Sequence, residues 1–167
     1  MIVKLLVFLM AMLVSVSVLG DDFYSVYLIR HAEKDLSNPE NKDPHLSACG
    51  IERAQRLADI FEDVTLQALY SSDYIRTRDT AAPIAMSKNL TVDIYNPAKL
   101  DELLRRLRTA KQNALIVGHS DTTSVLAGLL ADVKLTDIDN LEYDRLYQVV
   151  IAGDNSTLQL LHQAFRC

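Results

Sequence analysis

Two short runs of apolar, β-prone residues constrain this chain more than any other feature, because each one leads into a histidine. Val26-Tyr27-Leu28-Ile29 runs into Arg30-His31-Ala32-Glu33, and Ala114-Leu115-Ile116-Val117 runs into Gly118-His119-Ser120. Uninterrupted apolar runs bounded by polar residues or Gly read as strands buried on both faces of a parallel sheet. Open α/β sheets bind their ligands in the crevice outside the carboxyl ends of the strands. Two imidazoles delivered there, one with an arginine beside it, predict a site for an anion.

The rest of the pattern alternates in the way such a sheet requires. Residues 33–45 are polar and carry Pro39 and Pro44, which predicts a loop over the site. A helix is expected from near Ser47, with Ile51, Ala54, Leu57, Ala58 and Phe61 as its apolar stripe. A strand over 68–71 follows, then a helix over 73–87 that Pro83 kinks or restarts, then a strand over 90–95. Leu100, Leu103, Leu104 and Leu107 mark an amphipathic helix ahead of the second histidine strand. Residues 121–131 then form a helix with Val125, Leu126, Leu129 and Leu130 expected inward. Strands over 146–152 and 157–162, separated by Gly153-Asp154-Asn155, read as a terminal hairpin. Tyr143 and its neighbours Glu142, Asp144 and Arg145 are expected to begin the first of these strands at the sheet edge. Together these elements predict a three-layer α/β/α sandwich, its central sheet mostly parallel with helices on both faces.

The first twenty residues read differently. A short start with one lysine, Lys4, precedes an apolar run over 5–19, and Val18-Leu19-Gly20 puts small or aliphatic residues at a cleavage position. This is the three-part pattern of a secretory signal peptide. The run is shorter than the roughly 20 residues of a spanning helix, so no stable membrane insertion is expected once it is removed. The expected division is therefore a signal peptide over 1–20 and one domain over 21–167, periplasmic or secreted. In an oxidising compartment Cys49 and Cys167 can pair as a disulfide. The net charge of −5 provides no general basic surface, which argues against nucleic acid and makes any anion binding local.

The residue types at the site suggest a chemistry. A neutral imidazole can attack phosphorus and hold the phosphoryl group covalently, splitting one difficult step into two. Phosphoryl transfer needs positive charge around the equatorial oxygens, and the planar fork of arginine supplies it bidentately. Arg30 adjoins His31, and Arg76 and Arg78 enter at the junction of a strand and a helix. These two lie about 200° apart on a helix, so one of them can serve the site, and spacing leaves open which. Gly118 permits close approach beside His119, and the helix after Ser120-Asp121 would add partial positive charge from its N-terminus. No metal-ligand spacing is present and the chemistry requires no metal or other cofactor. His45 and His162 are expected to be structural.

In these same segments the chain resembles the histidine phosphatase superfamily, also called phosphoglycerate mutase-like. Leu28-Ile29-Arg30-His31-Ala32-Glu33-Lys34 is similar to its Arg-His signature, and Leu46-Ser47-Ala48-Cys49-Gly50 with Arg53-Ala54 to its first helix start. The segment from Ser71-Ser72 through Arg76 to Thr80-Ala81 resembles its Ser-x-x-x-Arg-x-x-x-Thr-Ala block, and Val117-Gly118-His119-Ser120 the block of its second histidine. The resemblance implies that His31 is the nucleophile, that Arg30, Arg76 and His119 form the phosphate pocket, and that Arg76 rather than Arg78 serves it. The proton donor is not implied, because the region from Tyr95 to Glu102 departs from the glutamate segment of larger members. Glu33, Asp121 and Glu102 are its candidates, and Asp101 and Glu102 equally suit the first turn of a helix. The chain lacks the long insertions of mutases. The expected activity is hydrolysis of a phosphorylated small molecule or glycan, against the alternative of a non-catalytic phosphate-binding member of the same fold.

Overall fold

In the computed structural model, which describes residues 23–166, the β-prone runs come together in one six-stranded sheet. The elements follow as β1 (Phe23–Arg30), α1 (Ala48–Ile60), β2 (Ala68–Ser72), α2 (Ile75–Lys88) and β3 (Val92–Tyr95). Then come α3 (Leu100–Ala110), β4 (Ala114–Gly118), α4 (Thr123–Ala131), β5 (Arg145–Ala152) and β6 (Asn155–His162). Across the sheet the order is β3-β2-β4-β1-β5-β6. The first four strands in that order run parallel, β5 runs antiparallel to β1, and β6 antiparallel to β5. The expected signal peptide over 1–20 and Cys167 lie outside the described residues. Cys49 is disulfide-bonded.

Strand periodicity splits the core in two, since successive side chains point to opposite faces. Val26 and Leu28 of β1 face α3 and α4, where Leu103, Leu107, Leu126, Ala127 and Leu130 pack against them. Ile29, Leu115 and Val117 face α1 and α2, against Leu57, Phe61, Ala81 and Ile84. The three-layer sandwich follows from these two clusters. No helix among the described residues is long and apolar enough to cross a membrane.

Local chemistry sets the element ends. Ser47 caps α1 by accepting the Gly50 N–H at 3.1 Å. Gly50 has no room for a side chain, because a Cβ there would run into the Glu33 carbonyl, and this lets α1 start directly beneath the exit of β1. The β5–β6 hairpin closes on Gly153 and Asp154 alone, with Gly153 at φ 57° and Asn155 already paired to Ala152, so β6 begins two residues earlier than expected.

Three expectations need correcting. The helix over 73–87 starts at Ile75 and runs through Pro83 to Lys88, where Asn89 ends it in the left-handed region. Buried Ala81 and Ile84 on either side of Pro83 hold both halves on the same sheet face. Val125 and Leu129 of α4 are 43% and 39% exposed, and the inward stripe is Thr123, Leu126, Ala127 and Leu130. This helix is apolar nearly all round, so hydrophobicity alone does not orient it. Ile51 also lies outside the core, because the buried face of α1 runs through Gly50, Arg53, Ala54, Leu57 and Ala58.

Candidate active site

Strand register brings the two histidines together. In the parallel pairing of β1 with β4, Ile29 lies opposite Val117 and Arg30 opposite Gly118, so His31 and His119 leave adjacent strands side by side. The His31 N–H donates to Gly118 O at 2.9 Å. The two rings stand 5.5 Å apart, tilted 66° to each other. On the other side of β4, Ser71 pairs with Val117, which carries Ser72 to within 2.7 Å of His119 Nε2.

A cleft of about 360 Å³ opens over these strand ends. It is lined by Arg30, His31, Arg76, His119 and Asp121, together with Lys34, Tyr74 and Asn140. Thus the structure assembles both histidines, Arg30, Arg76 and one of the candidate carboxylates, Asp121. It does not bring in the others. Glu33 turns toward a neighbouring cleft, where Arg53 grips it bidentately, with the closest contact 2.6 Å. Glu102 sits exposed on the first turn of α3 and pairs with Lys99 at 3.0 Å. Arg78 pairs with Asp73 away from the cleft. His45 binds Asp79 at 2.9 Å and His162 binds Asp144 at 3.2 Å.

The protonation states follow from the surroundings. His31 is buried and its Nδ1–H donates to the Ala32 carbonyl at 2.7 Å, so the lone pair of the neutral ring is on Nε2. Burial pushes this imidazole down to about 3 against that carbonyl bond, and Arg30, Arg76 and His119 add to the shift. Burial, then Arg76, pushes His119 down to about 4, while the Asp121 carboxylate opposes. Ser72 donates to Thr77 Oγ1, which itself donates to backbone carbonyls, so Ser72 is left to accept from the Nε2–H of neutral His119.

Each arginine is anchored and still incomplete. Arg30 Nη1 donates to the carbonyls of Asp139, Asn140 and Glu142 at 2.8–3.1 Å, and Tyr143 stacks 4.1 Å from the guanidinium carbon. Tyr74 packs 4.5 Å from the guanidinium of Arg76 and 4.9 Å from the His119 ring. The Nε atoms of Arg30 and Arg76 are both buried without a hydrogen-bond partner. Buried charged donors rarely stand open unless a ligand completes them. Sequence reasoning missed Tyr74, Tyr143 and the carbonyls of 139–142, because no periodicity or spacing marks a residue that acts from a loop. The cluster at 142–145 was expected only to start a strand. The carboxylates of Glu142 and Asp144 come close to His162 and could be read as metal ligands. They are already engaged by Arg145 and His162, so they carry no functional reading.

The depressed histidines make stability depend on pH. Both bind fewer protons folded than unfolded, so their contribution is complete above the unfolded value near 6.5 and is lost as pH falls toward 4 and 3. Within that window each group removes up to about 1.4 kcal/mol per pH unit. Urea midpoints should fall between pH 7 and 4, and the fall should be shallower in His31→Ala. Equal slopes in the two proteins would contradict the burial of a neutral His31.

A mostly parallel α/β sheet thus carries two imidazoles and two guanidinium groups around one cleft at the carboxyl ends of its strands. The model of the histidine phosphatase superfamily, branch 1, matches residues 26–105, and over those residues the chain is similar to that superfamily. The match spans Arg30, His31 and Arg76, and it is the sheet register that adds His119. The fold is similar to the alpha-ribazole phosphatase of Shigella flexneri, with a TM-score of 0.69 at 20% identity over 83% of this chain and 96% of that one. It is similar also to a phosphoglycerate mutase of Bacillus anthracis, at 0.66 and 15% identity over 85% and 94%. The protein histidine phosphatase SixA, solved with tungstate, aligns at 0.66 and 14% identity over 83% and 96%. No curated protein matches the chain at the sequence level.

Proposed function

We propose that the chain is an exported phosphatase that hydrolyses a phosphomonoester, or a related phosphoryl compound, through a phosphohistidine on His31. The observation that carries this reading is the pair of open Nε donors on Arg30 and Arg76 around a neutral His31. In the first step His31 Nε2 forms a bond to phosphorus as the phosphorus–oxygen bond of the ester breaks. The leaving oxygen takes its proton from Asp121, the candidate acid that lines the cleft and that enters this step in its protonated form. In the second step water attacks phosphorus, the phosphorus–nitrogen bond breaks, and the water proton returns to Asp121. Arg30 and Arg76 hold the equatorial oxygens in both steps. A dianion in the cleft would raise His119 from its depressed value and favour the protonated ring as a further donor.

The signal-like residues 1–20 support export, and disulfide-bonded Cys49 fits an oxidising compartment. The cleft is polar, with Lys34, Ser120 and Asn140 in the same lining as the histidines, which suits a hydroxylated leaving group such as a sugar of an envelope glycan. Tungstate, bound in the SixA structure, is a tetrahedral oxyanion like phosphate. Rapid mixing with labelled aryl phosphate should trap a base-stable, acid-labile phosphohistidine that maps to His31. A protein that binds phosphate but never forms this adduct would be the non-catalytic alternative. Phosphate release from purified phosphorylated glycans tests the substrate, and no release would remove that part of the reading.

A further inference from the structure

The arginines of the site share one arrangement. Each is held by Nη1 and each leaves Nε buried and open. Their anchors differ. Three backbone carbonyls fix Arg30, whereas Arg76 Nη1 is held by one side chain, the carboxylate of Asp43 at 3.3 Å. Asp43 belongs to the polar loop between β1 and α1 and reaches across to α2. The same Oδ1 accepts the Ile75 N–H at 2.9 Å, from 32 positions earlier in the chain. Tyr74, the N-cap residue of α2, provides no side-chain cap of its own.

We infer that Asp43 is a positioning residue of the anion site: it caps α2 from a distance and aims the Arg76 guanidinium so that its Nε edge is left for the ligand. The inference rests on the proposed function only in taking a phosphoryl group as that ligand. The carboxylate itself is negative and stands near His119, so its charge opposes a bound dianion. Its contribution must therefore come from geometry, and charge and geometry can be separated by substitution. Asp43→Asn keeps an acceptor oxygen in place and removes the charge. Asp43→Glu keeps the charge and moves the oxygen by one methylene. A second contact of the same loop, His45 to Asp79, is a control for loosening the loop alone.

Binding of inorganic phosphate and orthovanadate, measured by calorimetry on the whole chain, tests this without requiring turnover. Asp43→Ala should weaken both by at least about tenfold, and Asp43→Glu by several-fold. Asp43→Asn should retain most of the affinity, and His45→Ala should stay within about twofold of wild type. In an Arg76→Ala background Asp43→Ala should cost nothing further, because Asp43 acts through Arg76. Wild-type affinity in Asp43→Ala, or an equal loss in the Arg76→Ala background, would overturn the inference. Should Asp43→Ala fail to fold, a Glu variant that binds as well as wild type would overturn it equally. A wild type that binds phosphate but forms no phosphohistidine removes the catalytic reading and leaves this test standing. A wild type that binds neither anion overturns both.

Discussion

His31→Ala is expected to lower turnover of an aryl phosphate by about 10⁴-fold or more, the scale on which removal of a covalent nucleophile usually acts. The neighbouring groups do not replace it. His119 spends its Nε2–H on Ser72, and its ring lies 5.5 Å from that of His31. The pocket cations survive the substitution, since Arg30 is fixed by carbonyls of 139–142 and Arg76 by Asp43. Phosphate should therefore still bind while turnover disappears, which a steady-state assay and a binding isotherm together would show. His119→Ala should instead lose both, because its protonated ring is assigned to hold the transferring group. If His31→Ala kept measurable turnover at wild-type levels, the nucleophile would lie elsewhere.

Arg53→Met carries the largest expected effect on stability. Arg53 is 5% exposed and the Glu33 carboxylate 18%, and the guanidinium grips both carboxylate oxygens. Its Nη1 also reaches Gln163 Oε1 and Phe165 O, so one side chain ties α1, the exit of β1 and the segment after β6 together. Removing one partner of such a pair typically costs about 3–5 kcal/mol, because the remaining charge stays away from water. That is a large share of a domain stability of roughly 5–15 kcal/mol. Urea unfolding should show a lower midpoint with an unchanged slope. Adding Glu33→Gln to Arg53→Met should recover much of the loss, which a double-mutant cycle would measure. Glu33→Gln alone should leave turnover near wild type. A large fall in turnover with intact stability would return Glu33 to the list of proton donors.

The layers, the order of strands and helices, and the fold class were legible from the chain because burial imprints a period on each element. Val26 to Ile29 and Ala114 to Val117 are apolar without a break because helices cover both faces of the strands they form. Leu103 and Leu107 point inward as their spacing requires. The period gave no guidance where an element is apolar all round, and α4 accordingly turns Val125 and Leu129 outward. Within the site, Arg30, His31 and His119 were legible because each adjoins a strand end, a place that sequence marks. Arg76 needed the family resemblance to separate it from Arg78, and the structure brings Arg76 alone into the cleft.

The sequence by itself determined the strands, the residues that follow them and hence the supply of imidazole and guanidinium groups. Tertiary structure decided which of these meet. The β1–β4 register aligned Arg30 with Gly118 and so set His31 beside His119. Chain crossings decided the partners of the charged groups: Glu33 went to Arg53, Asp43 to Arg76, and Tyr143 to the face of Arg30. The physical reason is range. Side-chain period and turn chemistry act over a few residues, whereas an ion pair or a ring stack depends only on distance in space, and 20 to more than 100 positions of chain separate the residues that complete this site.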